Sequence, residues 1–270
     1  MVLRLDQLLV TRELAPSRQR AKELITSGQV LVHGAKVIKP GARVAADARV
    51  EILGEPLGYP SRAGLKLEKA LQVFDVQVKG KTALDVGAST GGFTSCLLQA
   101  GARQVYAVDV GRDQLVPELR SDPRVLVLEK TDIRRLTPEQ LPSLADLATI
   151  DVSFISLTKV FPQVRALLKP GGDVIALIKP QFETGGVGLS KHGVIRDCAV
   201  HLTYLPPLVN ELQGQDLGLV GFDVSPISGG KGNLEFLGHF RMGAEPQDAF
   251  EQVCAVIREG WTSSQGKDEC

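Results

Sequence analysis

The sequence predicts an α/β protein in which a doubly wound, mostly parallel sheet follows a small, basic α+β domain. Three observations carry this reading. From residue 61 onward apolar strand signals alternate with helical segments, the pattern of a parallel sheet covered on both faces. The first of those strands runs straight into a glycine-rich turn, Gly87-Ala88-Ser89-Thr90-Gly91-Gly92. Residues 1–50 hold nine Lys and Arg against four Asp and Glu, although the whole chain is formally neutral. Such asymmetry favours a polyanionic partner for the basic segment.

In the first domain, residues 1–53, Leu3, Leu5, Leu8 and Leu9 fit one face of a short helix ending at Thr11, though Leu3 and Leu5 would also suit a strand. Ser17 reads as the N-cap of a second helix through Ile25, which stops at Ser27-Gly28. Short strands follow at Val30–Val32, before the turn His33-Gly34-Ala35, and at Ala48–Ile52. Residues 54–60 (GEPLGYP) have linker composition. The second domain, 61–243, opens with a helix over about 62–74. Its strands are expected at 83–86, 104–110, 125–128, 147–151, 174–178 and 217–224. A last strand, 234–240, follows without an intervening helix and should pair antiparallel with 217–224. Residues 244–270 hold one amphipathic helix, about 247–258, and a polar end.

Cysteines 96, 198, 254 and 270 form neither a C-x-x-C pair nor a zinc spacing, so no metal site is expected. No signal-type leader and no apolar run near the roughly 18 residues of a membrane span are present, and a reducing cytoplasm is the expected location.

The glycine turn marks a candidate cofactor site. Glycines there allow a tight strand-to-helix turn and let backbone approach a ligand closely. Gly87, Ala88, Ser89, Gly91, Gly92 and Phe93 would form the cradle. Asp109 ends the next strand, where a carboxylate can accept the ribose hydroxyls of an adenosine. The glycines run G-x-x-x-G-G, not the G-x-G-x-x-G of a dinucleotide site. A methionine-bearing cofactor has no pyrophosphate, and Asp85 inside the strand could face its ammonium. S-adenosylmethionine is therefore favoured over a dinucleotide. The bland alternative is a turn that only packs helix on strand. Asp132, after the third strand, could contact the adenine or be a solvated loop residue.

Asp151 closes the fourth strand of this domain and Lys179 the fifth. Ligands of doubly wound sheets bind beyond the carboxyl ends of the strands, so Asp85, Asp109, Asp151 and Lys179 converge on one edge. Asp151 and Lys179 could be a structural ion pair. Alternatively, the lysine could orient an acceptor hydroxyl, remove its proton or stabilise its developing charge. A neighbouring carboxylate stabilises the ammonium and opposes the general-base role.

Several separated motifs give the chain a resemblance to a known family. Ser61-Arg62-Ala63-Gly64-Leu65-Lys66-Leu67, Asp85–Phe93, Asp151-Val152-Ser153-Phe154-Ile155-Ser156-Leu157, Lys179-Pro180-Gln181-Phe182-Glu183 and Gly232-Asn233-Leu234-Glu235-Phe236 resemble the TlyA (hemolysin-like) family, relatives of the FtsJ-type ribose methyltransferases. Arg4-Leu5-Asp6, Ser17-Arg18, Ala21-Lys22, Gly28-Gln29-Val30 and Lys39-Pro40-Gly41 are similar to the alpha-L RNA-binding motif. The resemblance implies a Rossmann-like methyltransferase sheet, S-adenosylmethionine as cofactor, and a Lys-Asp-Lys-Glu tetrad for 2′-O methylation of ribosomal RNA. The matching positions are Lys66, Asp151, Lys179 and Glu235, with Lys69 one turn from Lys66 on the same helix. Asp132 departs from the family, which has asparagine there.

Arg4, Arg18, Arg20, Lys22, Lys36 and Lys39 would contact phosphates of ribosomal RNA, free or in ribosomal subunits. With aromatics at 5% of residues, structured RNA recognised by shape fits better than a stacking platform. The glycine-rich segment 185–193 suits a lid over the acceptor, or an ordinary crossover loop. Competing readings are a non-catalytic RNA-binding or ribosome-assembly protein, a membrane-active hemolysin and a dinucleotide oxidoreductase.

Overall fold

The computed structural model describes residues 2–12, 14–15, 18–53, 58–214 and 216–265. The chain divides into two compact units, Met1–Arg62 and Ala63–Cys270.

In the first unit β1 (Val2–Arg4) leads directly into α1 (Leu5–Thr11), followed by α2 (Arg18–Thr26), β2 (Val30–Val32), β3 (Ala35–Lys36), β4 (Arg43–Ala45) and β5 (Val50–Ile52). Leu3 belongs to the strand and not to the helix, because Arg4 is extended (φ −70, ψ 141) and the helix begins after it. β1 pairs antiparallel with β4, a strand of only three residues that the sequence does not announce. The other three strands form a sheet in the order β3-β2-β5. Leu5, Leu9, Ala21, Leu24, Ile25 and Val30 make the core. Gly28 ends the α2 segment with φ +71, a left-handed value that costs glycine little. Ser17, read as the cap of α2, and Gly54–Leu57 of the linker lie outside the described residues.

In the second unit α3 (Ala63–Val73) precedes β6 (Thr82–Val86), α4 (Gly92–Gln99), β7 (Gln104–Val108), α5 (Pro117–Arg120), β8 (Val125–Leu128), β9 (Ala145–Ile150), α6 (Phe161–Ala166), β10 (Leu168–Ile178), α7 (Pro180–Glu183), α8 (Cys198–Leu212), β11 (Leu217–Val224), β12 (Phe236–Met242) and α9 (Phe250–Gln265). The seven strands run β11-β12-β10-β9-β6-β7-β8. The strands from β6 to β10 pair in parallel, whereas β12 is antiparallel to both β10 and β11. The fold is thus the expected doubly wound α/β sheet, closed by a reversed hairpin. β6 is buried along its whole length, as a central parallel strand covered on both faces must be.

Strand order reverses between β6 and β9. Their carboxyl ends lie side by side there, with the Asp151 N–H donating to the Val86 carbonyl at 2.9 Å. This is the topological switch point, where open α/β sheets bind ligands.

β10 and α9 depart from their expected bounds, α9 running to Gln265 where a helix to about 258 is expected. β10 starts at Leu168, with an irregularity before Asp173 at Gly171-Gly172. The fifteen-residue helix α8 carries Pro206 and Pro207 in its interior, residues that read as helix breakers.

Candidate active site

Gly87 is the first fixed point of the site. Its φ is +87, and a Cβ there would lie 2.4 Å from the Asp151 carbonyl oxygen. Only glycine lets the end of β6 pass so close to the end of β9. Gly87 and Ala88 donate to the Val108 carbonyl, and Ser89 and Gly91 take left-handed φ values of +46 and +98. The turn then opens α4 at Gly92 and Phe93, both buried.

Asp109, at the end of β7, braces this turn. One of its oxygens accepts from the Ser89 N–H at 2.8 Å and the other from the Gly111 N–H at 2.6 Å. Each oxygen keeps a further lone pair for a ligand hydroxyl. Asp132 caps a short 3-10 turn and pairs with Arg134 at 2.7 Å. The Arg134 guanidinium holds its carboxyl below the usual range. Asp132 lines a cleft of about 570 Å³ together with Val110, Ile133, Val152, Phe154 and Glu183.

Asp85 differs from the expectation that it faces a ligand ammonium. It is fully buried, and its two oxygens accept hydroxyl hydrogens from Thr94 (2.6 Å) and Thr149 (3.0 Å). Its partners explain this: Thr94 lies on α4 and Thr149 is its register partner on β9, so Asp85 is held inside the fold two residues before the chain reaches the cleft at Gly87. Burial pushes its carboxyl up to about 7, against the pull of the two hydroxyls.

Asp151 and Lys179 meet at 2.6 Å, and the lysine also donates to Ser153 Oγ at 3.1 Å. The contact has ion-pair distance, but Asp151 Oδ1 has no aligned hydrogen bond. Lys66, not Lys69, meets Glu235, at 2.6 Å and deeply buried. Lys69 instead reaches Asp223 and the Val224 carbonyl. Sheet register explains the grouping. Ile178 lies opposite Phe236, so Lys179 and Glu235 leave the same end of adjacent strands. Lys66, Lys179 and Glu235 line one cavity of about 500 Å³, with Ser153, Gln181 and Phe182.

Several residues here carry no assignment from sequence reasoning. Phe154 holds a left-handed φ of +63 and is 90% exposed, with its ring 4.9 Å from that of Phe182. A bulky residue in that region is strained, and such strain gathers at functional sites. Glu129 accepts from the backbone of Asp113, Gln114 and Leu115 and from Arg120, which ties down the loop after β7. Burial alone would raise its carboxyl, but these donors lower it to about 2. Its one sequence signal is an acid placed straight after β8. Gln181 Oε1, Glu183 Oε2 and Thr184 Oγ1 are buried without hydrogen-bond partners.

In the first unit, Arg4 and Arg18 both bind the fully buried Asp6 carboxylate, at 3.0 and 3.3 Å, and remain about half exposed at 48% and 59%. Lys22, Lys36 and Lys39 are exposed. Arg20 corrects the expectation of a surface cation. It is 6% exposed, because it shares the α2 face of Leu24, which packs into the core. Among the described residues no cluster of metal-ligating side chains occurs and no helix is long and apolar enough to cross a membrane.

A seven-stranded sheet of this order, with a glycine turn at its switch point and a reversed final hairpin, defines a methyltransferase-type fold. Comparison with known proteins narrows the class. The pattern of FtsJ-like methyltransferases matches residues 59–242, and that of the S4 domain, the N-terminal RNA-binding motif, matches residues 3–50. YqxC of Bacillus subtilis, named as a candidate rRNA methyltransferase, is 47% identical over 95% of this chain and 93% of its own length. The 16S/23S rRNA (cytidine-2′-O)-methyltransferase TlyA of Mycobacterium tuberculosis is 41% identical, over 86% and 87%. A solved structure from Streptococcus thermophilus, described as a hemolysin, shares 38% identity, covers 98% of this chain and 99% of its own, and superposes with a TM-score of 0.78. The chain belongs to the FtsJ-like methyltransferase family, in its TlyA-type branch with an N-terminal S4 domain, and is a methyltransferase.

Proposed function

We propose that this enzyme transfers a methyl group from S-adenosylmethionine to a ribose 2′-hydroxyl of bacterial ribosomal RNA, free or within ribosomal subunits, in the cytoplasm. The observation that carries the reading is the presence of two lysine–carboxylate pairs at the carboxyl edge of the sheet, Lys179–Asp151 beside the switch point and its glycine turn and Lys66–Glu235 at the neighbouring strand ends. The names of the relatives make cytidine the first nucleotide to test.

The residues present fit the cofactor. Gly87 leaves bare backbone where any Cβ would collide, and Asp109 offers lone pairs beside it. Val110, Ile133 and Val152 give an apolar wall, and Asp132 a polar edge, in the neighbouring cleft. Gly87–Phe93, Asp109 and Asp132 would hold the group, with Asp85 supporting the turn from behind. When bound it supplies an electrophilic methyl on a sulfonium.

The chain's own residues handle the acceptor. Lys179, held by Asp151 and Ser153, donates a hydrogen bond to the 2′-oxygen and orients it, and the hydroxyl proton passes to the Asp151 carboxylate or to water as the new O–C bond forms and the S–C bond breaks. Lys66 and Glu235 fix the other side of the ribose through polar contacts. Phe154 and Phe182 offer an apolar face beside the acceptor. Arg4, Arg18, Lys22, Lys36 and Lys39 bind phosphates, and the buried Asp6 sets the direction of the two arginines. In this reading residues 1–53 dock RNA, 54–60 link, 61–243 carry the chemistry, and 244–270 are a C-terminal helix and tail.

The test uses methyl-labelled S-adenosylmethionine, unmodified bacterial ribosomal subunits and free ribosomal RNA, followed by alkaline hydrolysis. A 2′-O-methyl group blocks cleavage at its own position. Label in alkali-resistant dinucleotides is the expected result. Label released as mononucleotides moves the reaction to a base and sinks the ribose assignment.

A further inference from the structure

We infer that Asn233 is a positioning residue of the acceptor cavity, a latch that ties the glycine-rich loop 185–195 to the chain segment bearing Glu235. The inference deepens the reading above and rests on that cavity being the acceptor site.

Asn233 is 3% exposed, and its side-chain hydrogen bonds leave the sheet. Both ends of its amide go to the loop. Oδ1 accepts the Ile195 N–H at 3.0 Å, and Nδ2 donates to the Gly193 carbonyl at 2.9 Å. Its own backbone carbonyl accepts the Gly229 N–H at 2.9 Å, closing the turn 229–232. That turn presses on the tetrad, since a Cβ on Gly229 would sit 2.4 Å from Glu235 Oε1. One residue therefore fixes two glycine-rich segments, and two positions further on lies the carboxylate that holds Lys66.

The loop needs such a fixture. Gly185, Gly186, Gly188 and Gly193 all take positive φ, and the loop's backbone bonds, such as Ser190 N–H to the Val194 carbonyl and Gly193 N–H to the Ser190 carbonyl beside the Leu189–Ile195 bridge, close it on itself. Segments rich in glycine lose much conformational entropy on ordering, and bonds within the loop do not fix where it sits against the cavity. Leu189 and Gly193 nevertheless form part of the cavity wall, with Lys231 and Asn233. Wall position thus depends on the amide. Asparagine alone among residues of this size and shape offers one acceptor and one donor in that fork. Aspartate keeps the acceptor for Ile195 but turns a carboxylate on the Gly193 carbonyl. Alanine loses both contacts.

The experiment uses the full chain with Asn233→Ala and Asn233→Asp. Hydrogen exchange at the Ile195 amide and tryptic cleavage after the exposed Lys191 report the loop without any substrate. Both should quicken about tenfold in the alanine variant and less in the aspartate variant. The KM for ribosomal subunits should rise about tenfold, while affinity for S-adenosylhomocysteine stays within about twofold. A residue that served stability alone would lower melting temperature without that split. Unchanged exchange and cleavage in Asn233→Ala overturn the latch. Faster exchange with unchanged KM and kcat overturns the positioning role. If Asn233→Ala does not fold, Asn233→Asp supplies the same readouts. A wild-type protein that methylates no ribosomal RNA would sink the acceptor reading, while exchange and cleavage still decide the latch.

Discussion

The two edges of the central sheet hold charge in opposite ways. At the amino edge Asp173 is buried and serves three donors, His239 and Arg241 at 2.9 Å and Lys81 at 3.1 Å. Burial alone would push its carboxyl up, but those donors outweigh it and hold the group well below the usual carboxylate range. At the carboxyl edge the charges are divided into two separate pairs. Polar atoms of Asp151, Gln181, Glu183 and Thr184 stay without aligned partners there. A buried polar group without a partner costs about 1–3 kcal/mol, so such groups collect where a ligand completes them. The saturated edge holds the sheet together. The unsaturated edge is where chemistry belongs.

Lys179→Ala should break the contrast most strongly on the active side. Methyl transfer should fall by about a thousandfold or more, the scale of losing a key electrostatic donor. Folding stability should change by no more than about 1 kcal/mol, because the lysine sits at a strand end beside an open cavity. Initial rates and urea melts of the two proteins check both parts. A loss of stability matching the loss of rate would make the Asp151–Lys179 pair structural.

Asp173→Ala should do the reverse. Removing one partner of a buried ionic cluster costs about 3–5 kcal/mol, while the folded fraction should keep its rate per molecule. With its carboxyl held low, Asp173 contributes stability above its ordinary range that is lost as pH falls. The variant should therefore be less acid-sensitive than the parent. A stability cost below about 1 kcal/mol would show that the three donors find water equally well.

Most of the strand framework could be read from the chain because parallel strands buried on both faces stand out as short apolar runs. Val125–Leu128 and Leu217–Val224 occupy their expected positions, and the final hairpin was visible in the missing helix between 224 and 234. Helix α8 was not, since Pro206 and Pro207 argue locally against what burial of Leu205, Leu208 and Val209 achieves. β4 has three residues with mostly exposed side chains and left no pattern to find, whereas Leu3 of β1 was open to a strand reading. At the site, topology alone brought Asp151 and Lys179 to one edge. Lys66 and Glu235 needed family motifs, because 169 residues separate them and no local spacing relates them. The inward turn of Asp85 and Arg20 was hidden, because side-chain direction depends on which face packs.

Gly87→Ala sharpens the comparison at the switch point itself. The added methyl would meet the Asp151 carbonyl in a backbone already at positive φ. A cost of about 2–3 kcal/mol is expected from overpacking and left-handed strain together. Cofactor affinity should fall with it, measured by calorimetry with S-adenosylhomocysteine. Normal affinity and stability would mean that the turn can shift away from β9.

A subtler effect concerns Asp85, a carboxylate buried within β6. Asp85 is raised from 3.8 to about 7, chiefly by burial, with nearby Asp151 adding to the rise. A folded value above the unfolded one means that the native state binds the proton more tightly. Stability from this group is therefore fully present below its unfolded value and lost as pH rises toward 7. Asparagine keeps the shape and can still hydrogen-bond the hydroxyls of Thr94 and Thr149, but it does not titrate. Relative to the parent, Asp85→Asn should gain stability as pH rises from about 4 to about 8, by no more than about 1.4 kcal/mol per pH unit, then level off. Urea midpoints of both proteins across that range give the slope. A flat difference would mean that Asp85 stays ionised throughout, and that the two hydroxyls alone suffice to hold a charge in the centre of the sheet.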